Sequence, residues 1–324
     1  VATVAGGDVH QAAGRDLVAN GASARGYLQL IATAGRDISV GVVAGEYQLE
    51  AQDKSGRSTK GRTAFIKESS TSHQSSSLSS AGDTVLAARS NVQMKAVQIT
   101  AGTDGTDGKG DLYVNAQNVT IEAAKDRTAT DMQTIGVKSY DHVARDNETL
   151  VASHLSAAGN VSIRATGAAS DGDEKNSRKN NGNDSGKGSG KDSGKDSGNI
   201  TLTGTNITAQ QGQLALVAGQ DIKIQNDSTR HSSIDENYFK SSSLLSSTTS
   251  TNSDKISATQ IEASNISSNS VVIQAGKDAT TRASNVTGVR DVSIEAGNHI
   301  EIASAQDSYQ HQQSHKQKIG RAHV

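Results

Sequence analysis

The sequence predicts an all-β protein built as a parallel β-helix, a solenoid with polar excursions that leave the stack as extra strands or loops. Three observations predict this class. A short phrase around an Ala-Gly pair recurs at intervals of 20 to 21 residues. Apolar residues alternate on both sides of each phrase, and aromatic residues make up only 2% of the chain.

The recurring phrase is predicted to be a tight corner between two strands. Its clearest copies surround Gly35, Gly219 and Gly297, and related forms surround Gly14 and Gly276. Apolar residues occupy every second position before and after each corner, which is the period of a β-strand. Gly14 and Gly35 are 21 residues apart, as are Gly276 and Gly297. A fixed period of this length is typical of a solenoid.

The corner residues themselves have a structural interpretation. The glycines are expected to adopt a positive φ, and the aspartates to accept hydrogen bonds from nearby backbone N–H groups. A phosphate or metal loop is disfavoured because the same corner recurs along the chain. The predicted structural turns are Gly14, Asp16, Gly35, Asp37, Gly219, Asp221, Gly276, Asp278 and Gly297.

The composition limits the core and the partners. The 324 residues include no Trp, Cys or Pro, so small and β-branched side chains must fill the interior, which is expected to be thin and long. The lack of Cys excludes disulfides and thiolate metal sites. The net charge of -2 is not the clustered basic surface that favours nucleic acid, so no nucleic-acid partner is expected.

Polar excursions impose a longer period on the coils. Four segments that contain Asp53, Asp126, Asp227 and Asp307 each follow a pair of predicted strands and begin a Ser/Thr/His/Gln-rich stretch. Asp53 and Asp126 are 73 residues apart, and so are Asp126 and Asp227 once a 28-residue insert is discounted. These four aspartates are therefore expected to occupy equivalent positions.

The chain divides into four predicted regions. Residues 1–170 and 199–318 are β-helix repeats, separated by a Gly/Ser/Lys/Asp insert at 171–198 that has no apolar side chain and is expected to be disordered. Residues 319–324 match the translation of a common sequencing adapter and are interpreted as an artefact. The start has no Met, basic segment or apolar segment, so a fragment that lacks a signal peptide is expected.

Two groups of residues are weak metal candidates. Asp104, Asp107 and Asp111 lie in a Gly-rich loop and could offer oxygen ligands to calcium, but their spacing is not that of an EF-hand. His311 and His315 are four residues apart, as in a helical metal pair, but their segment has no acidic partner. We predict no catalytic residue, no metal and no cofactor.

One excursion is more apolar than the others. It contains Tyr238, Phe239, Leu244 and Leu245. These side chains form a candidate contact tip for a partner or a membrane. Alternatively, the segment folds back as extra strands that cover one side of the helix.

The coils around Gly35, Gly219 and Gly297, interrupted by polar excursions, resemble the hemagglutinin-repeat region of filamentous-hemagglutinin-like exoproteins. This family of two-partner secretion systems includes adhesins and contact-dependent growth-inhibition toxins. The resemblance implies a right-handed parallel β-helix, exported through an outer-membrane transporter and secreted or displayed on a Gram-negative cell surface. It implies a non-catalytic stalk or delivery segment, with a target-cell outer membrane or a host-cell receptor as a further partner.

Two other functions stay open at this point. A polysaccharide lyase or hydrolase on a β-helix would need at least three acids and a basic residue on one lateral face, usually with aromatic sugar platforms. Six Tyr, two Phe and no Trp argue against such a cleft. A passive adhesin would instead contact host glycans through its Ser/Thr-rich excursions.

Overall fold

The computed structural model describes residues 2–55, 61–102, 110–166, 198–244 and 246–321. Within these ranges, all regular secondary structure is β-strand. None of the described residues belongs to a helix that could cross a membrane. The strands form eight coils of a parallel solenoid and one separate antiparallel sheet. The prediction of an all-β parallel solenoid with extra strands is confirmed, while its right-handed winding stays a prediction.

Three parallel ladders run along the stack, and each coil contributes to all three. The first ladder contains β1 (Ala2–Ala5), β4 (Ser23–Gly26), β9 (Ser77–Ser80), β12 (Gln98–Ala101), β17 (Ser153–Ala157) and β20 (Thr205–Ala209). The second contains β2 (Val9–Ala13), β5 (Leu30–Ala34), β10 (Thr84–Ala88), β13 (Leu112–Ala116), β18 (Val161–Ala165) and β21 (Gln213–Ala218).

The last two coils continue these ladders with longer strands. Both β25 (Asn265–Ala275) and β27 (Asn285–Ala296) span the first and second ladders. The third ladder contains β3 (Asp16–Asn20), β6 (Asp37–Gly41), β11 (Asn91–Lys95), β14 (Asn118–Glu122), β19 (Ile200–Thr203), β22 (Ile222–Gln225), β26 (Asp278–Arg282) and β28 (His299–Ala303).

Aliphatic side chains form continuous rows inside the solenoid. Parallel pairing holds each coil in register with the next, so equivalent inward residues lie above one another. One row of the second ladder, in which every side chain is at most 1% exposed, runs through Leu86, Val114, Ile163, Leu216 and Ile273. Burial of each such side chain stabilises the fold by about 1.5–3 kcal/mol. The core is thus made of stacked aliphatic residues, as the composition predicts.

At three of the corners glycine is needed because stacked coils approach closely. A Cβ atom built on Gly276 would lie 2.0 Å from the carbonyl oxygen of Gly219, and one on Gly35 would lie 2.1 Å from that of Gly14. The same holds for Gly297, where the distance to the Gly276 oxygen is 2.2 Å. The expectation of a positive φ at these corners is wrong. Among the described glycines, positive φ occurs at Gly21, Gly102, Gly110 and Gly204.

Polar corner side chains join each coil to the next. The Asp37 carboxylate accepts hydrogen bonds from the backbone N–H (3.1 Å) and the side-chain amide (2.8 Å) of Asn91, one coil further on. Asn118 donates in the same way to Asn91 at 3.1 Å. Arg36 donates two bonds to Asp16 at 2.7 and 2.6 Å. These hydrogen bonds therefore link neighbouring coils, whereas the sequence suggests that they close single turns.

The same pattern holds at the other predicted corners. Asp221 donates its backbone N–H to the side chain of Asn199 at 3.2 Å, and Asp278 accepts from the amide of Asn298 at 2.7 Å. The predicted disordered insert, residues 171–198, lies outside the described residues except for Gly198. The carbonyl of Gly198 accepts a hydrogen bond from Gln220 at 2.8 Å, so this residue belongs to a coil.

The polar excursions form long strands of one antiparallel sheet, which we call the hairpin sheet. Its strands lie in chain order and comprise β7 (Val43–Ser55), β8 (Arg62–Gln74), β15 (Ala124–Ile135), β16 (Ser139–Val151), β23 (Asp227–Ser242), β24 (Ser246–Glu262) and β29 (Ser308–Arg321). Each hairpin leaves after a third-ladder strand and returns to a first-ladder strand. The last of these strands includes Ile319–Arg321, which pair with Ser246–Thr248.

One hairpin follows every second coil, and this spacing has a geometric cause. Neighbouring strands of a sheet and neighbouring coils of a solenoid are both separated by about 4.8 Å. A two-stranded hairpin is therefore as wide as two coils are high. Within the described residues, seven hairpin strands lie beside coils two to eight, and successive hairpins pair directly with one another.

The expected equivalence of the four excursion aspartates is wrong for one of them. Asp126, Asp227 and Asp307 lie where β15, β23 and β29 begin. Asp53, in contrast, is the eleventh residue of β7 and pairs with Ala64 near the far end of the first hairpin. The 73-residue spacing is therefore coincidental there, because Asp53 lies one hairpin length beyond the solenoid corner.

We expect Gly276→Ala to lower the free energy of unfolding by about 1–3 kcal/mol, because the new methyl group must displace the backbone of the preceding coil. Gly14→Ala is the matched control, since no atom lies within 4 Å of its Cβ position. Urea unfolding monitored by circular dichroism measures both changes. Equal effects of the two substitutions would contradict the close-approach explanation.

Two deletions test the match between coils and hairpins. Removal of Ser77–Ser153 takes out two coils and one hairpin, whereas removal of Ser77–Val97 takes out one coil and leaves all the hairpins. Both keep the first-ladder register across the new junction. We expect the shorter deletion to lower the thermal midpoint more, because two hairpins then lie only one coil apart. A larger effect of the longer deletion would contradict the argument.

Candidate functional site

Each complete hairpin returns to the solenoid at a buried serine, and we call this arrangement the serine clasp. The Ser153 hydroxyl donates to the carbonyl of Glu122 at 2.7 Å and accepts from the N–H of Val97 at 3.2 Å. Ser76 and Ser264 make equivalent pairs of bonds at the other two hairpins. All three serines are fully buried. Each clasp hydroxyl thus gives a backbone N–H its partner and adds a second donor to a carbonyl that also accepts a backbone hydrogen bond.

The sequence analysis did not identify this clasp, although the sequence carries a signal for it. Each clasp serine stands two residues before an inward Leu or Ile that is itself followed by Ser. The motif occurs at Ser76–Ser79, Ser153–Ser156 and Ser264–Ser267, immediately after each hairpin. In an isolated sequence it is hidden among many other serines. Only its position relative to the hairpins distinguishes it.

Aspartates at the hairpin bases hold neighbouring hairpins together. The Asp126 carboxylate accepts from the backbone N–H of His73 at 2.8 Å and lies 2.9 Å from its imidazole Nδ1. Asp307 likewise accepts from the backbone N–H of Ile261 at 2.7 Å. Both bonds join the first strand of one hairpin to the return strand of the previous one. These aspartates therefore link neighbouring hairpins by hydrogen bonds.

A chain of charged side chains crosses the middle of the hairpin sheet. His142 lies 3.1 Å from Asp131 and 3.7 Å from Glu236, and Glu236 lies 2.8 Å from Lys255. The hydrogen bond from Lys255 lowers the pKa of the Glu236 carboxyl. These pairs link β15, β16, β23 and β24. Asp131 contacts the His142 ring and the Gln133 amide, and Glu236 contacts Lys255 and the Ser253 hydroxyl, so the chain has the form of a structural network.

The calcium candidate has a different role at its one described member. Asp104 and Asp107 lie outside the described residues. Asp111 accepts from the backbone N–H of Asn160 at 2.6 Å and from the Tyr113 hydroxyl at 2.7 Å. Partial burial raises the pKa of Asp111, but these hydrogen bonds outweigh it and leave the pKa lowered, while the bond to Asp111 raises the pKa of Tyr113 to about 12. Asp111 thus joins two coils in the same way as Asp37.

The histidine candidate is not a helical pair. His311 and His315 lie on β29, where residues four apart are about 13 Å apart along the strand. His311 contacts Asp254 at 2.7 Å, and His315 contacts Asn252. Across the ranges that the structure describes, no three His, Asp or Glu side chains are grouped so that they could hold a metal ion.

The predicted contact tip lies at the free end of the third hairpin. Tyr238 and Phe239 end the strand pairing with β16, opposite Tyr140 and Ser139. Leu244 lies in the hairpin turn and is 99% exposed, and Phe239 is 57% exposed. Leu245 lies outside the described residues. The segment therefore extends the hairpin sheet away from the solenoid instead of folding back over it.

Comparisons with known proteins identify sequence relatives of this chain. The sequence profile of a family described as "Hemagglutinin repeat" matches residues 134–320. The chain is 31% identical over 105 residues to the "tRNA nuclease CdiA" of Escherichia coli (strain STEC_O31). It is 29% identical over 112 residues to the "tRNA nuclease CdiA-2" of Burkholderia pseudomallei (strain 1026b).

The extent of these matches is limited. They cover 32% and 35% of this chain, and 3% and 4% of the two relatives. The chain therefore corresponds to a small part of each relative's length. No solved structure matches the chain.

We expect Ser153→Ala to lower the free energy of unfolding by about 1–3 kcal/mol, because it leaves the buried N–H of Val97 without a partner. Ser156→Ala is the control, since this serine faces outward in the same strand. Its effect should stay within about 0.5 kcal/mol. Chemical denaturation provides both values, and equal losses would show that the clasp adds no stability.

Proposed function

Because the chain belongs to the hemagglutinin-repeat family, we propose that it is a rigid, non-catalytic stalk or delivery segment of a large secreted bacterial surface protein. The two relatives are named tRNA nucleases, but the matched part is only 3–4% of their length. Nuclease activity is therefore not assigned to these coils. Their proposed role is to hold other parts of the protein at a defined distance.

The observation that carries this proposal is the unbroken stacking of the coils. The third ladder pairs eight successive strands without a gap, from β3 to β28. Backbone hydrogen bonds in such a stack run along its axis, so bending the axis would strain them in at least one ladder. Each coil also contacts only its neighbours, which allows the chain to fold progressively as it leaves a pore.

Family membership supports the remaining parts of the proposal. We place the protein outside the cell or on a Gram-negative cell surface, and assign its export to the outer-membrane transporter of a two-partner secretion system. The lack of Cys suits such export, since no crosslink can form before the chain has crossed the membrane. A target-cell membrane or receptor would then be contacted by surfaces that the stalk presents.

A spin-label distance measurement tests the rigidity. Thr33 and Glu295 lie on one outward row of the second ladder, six coils apart. Labels on Thr33→Cys and Glu295→Cys should therefore give a narrow distance distribution near 29 Å, from six steps of about 4.8 Å. The natural chain contains no Cys, so labels attach only at these two positions.

The deletion of Ser77–Ser153 supplies the matched comparison. It removes two coils between the labels, and the distance should shorten by about 10 Å without broadening. A broad distribution, or one that the deletion leaves unchanged, would overturn the proposal of a rigid stalk.

A further inference from the structure

The charge of the hairpin sheet differs between the end of its strands at the solenoid and their far end. One row of paired residues crosses all seven strands, from Asp53 on β7 through Asp141 on β16 to His315 on β29. We call the described hairpin residues beyond this row, away from the solenoid, the distal rim. It comprises 54–55, 61–63, 135–140, 238–244, 246–251 and 316–318, with the final residues 319–321 left aside.

The distal rim is strongly basic, although the whole chain carries a net charge of -2. No Asp or Glu occurs among the described residues of the rim. Six basic side chains do occur there, and all are exposed: Lys54, Arg62, Lys138, Lys240, Lys316 and Lys318. Two acids, Asp53 and Asp141, lie on the boundary row, and Asp141 is 3.8 Å from Arg62. Positive charge is thus concentrated at the free edge of the sheet.

Exposed apolar side chains lie among these charges. Val137 is 69% exposed in the second hairpin turn, and Leu244 is 99% exposed in the third. Ile135 and Phe239 are 45% and 57% exposed. Tyr140 and Tyr238 are cross-strand partners between the two hairpins. Large apolar groups at the outermost turns are costly in water unless another surface covers them.

The two hairpin tips form one continuous edge. The backbone N–H of Lys240 donates to the carbonyl of Lys138 at 2.8 Å, and the Lys138 ammonium donates to the Ser242 hydroxyl at 2.6 Å. The ammonium retains two further donors for an external anion. Apolar turns and exposed cations are therefore held together on a sheet whose base is fixed to the solenoid.

We propose that the distal rim binds an anionic lipid membrane. Aliphatic and aromatic side chains at the turns enter the interface between headgroups and acyl chains, and the surrounding lysines pair with lipid phosphates. Tyr140 and Tyr238 suit the same boundary, because each has an apolar ring and a polar hydroxyl. A soluble polyanion would use the lysines alone, whereas a membrane also uses Leu244 and Val137. The sheet would hold the stalk axis beside the bilayer.

Fluorescence and vesicle sedimentation test this proposal. The chain has no Trp, so Leu244→Trp provides a single reporter at the rim, and Val18→Trp provides an exposed control on the solenoid. With mixed phosphatidylglycerol and phosphatidylcholine vesicles, we expect a blue shift of the Leu244→Trp emission and none for Val18→Trp. Phosphatidylcholine vesicles alone should shift neither, because they carry no net negative charge.

Charge-reversal variants test the lysines. Lys138→Glu with Lys240→Glu should weaken binding to the anionic vesicles at least tenfold. Lys95→Glu with Lys223→Glu makes the same change in net charge on the exposed third-ladder face and should leave binding within twofold. All four lysines are exposed, and circular dichroism confirms that each variant folds.

Three results would overturn the proposal. The first is no binding to the anionic vesicles. The second is equal weakening by the two charge-reversal pairs, which would indicate general electrostatic adsorption. The third is binding without a blue shift at Leu244→Trp, which would indicate a polyanion site without insertion. None of these results affects the spin-label distances, so the stalk proposal is tested separately.

Discussion

The equal spacing of strands in a sheet and coils in a solenoid is the constraint on which this architecture depends. Both spacings are set by the same backbone hydrogen bond. Two hairpin strands therefore match two coils, and the hairpins pair with one another without stretching or compressing the stack. If a hairpin followed every coil, two strands would compete for the height of one. If a hairpin followed every third coil, the hairpins would not meet.

A chain that leaves a solenoid corner must also solve a hydrogen-bonding problem. At that corner the coil below presents an N–H without its usual partner. The hydroxyl of each clasp serine accepts from this N–H and donates to the last carbonyl of the preceding third-ladder strand. A small side chain suits this position, because all three clasp serines are fully buried. The base aspartates then hold each hairpin against the previous one.

Periodicity made the solenoid predictable from the sequence, because the inward residues of every coil repeat the same two-residue alternation. The alignment on Gly35, Gly219 and Gly297 places Ile38, Ile222 and Leu216 correctly in the core. The cause of the glycine requirement was not predictable, since contact between coils is invisible in a single repeat. The same limit explains the misplacement of Asp53, because a count along the chain does not show where a hairpin begins.

The candidate surface was only partly predictable. The apolar residues Tyr238, Phe239 and Leu244 stand out in the sequence because their surroundings are polar. Lys240 lies beside them in the sequence, but the other basic residues of the rim come from three other excursions, tens or hundreds of residues away. Their common location depends on strand register, for example the pairing of Lys316 with Thr251. A charge count over the whole sequence adds these lysines to acids elsewhere. It therefore does not show that the basic residues are concentrated at the distal rim.

The fixed ratio of one hairpin to two coils limits which insertions and deletions such genes can carry without disrupting the fold. Ser77 and His154 are equivalent positions of the first ladder, so the repeat of two coils and a hairpin between them occupies 77 residues. Recombination within the array would preserve the fold when it exchanges whole repeats, and would disrupt it when it gains or loses a single coil. Inherited length variants should therefore differ by multiples of a unit about 10 Å high. Evolution would adjust the reach of the protein in discrete steps.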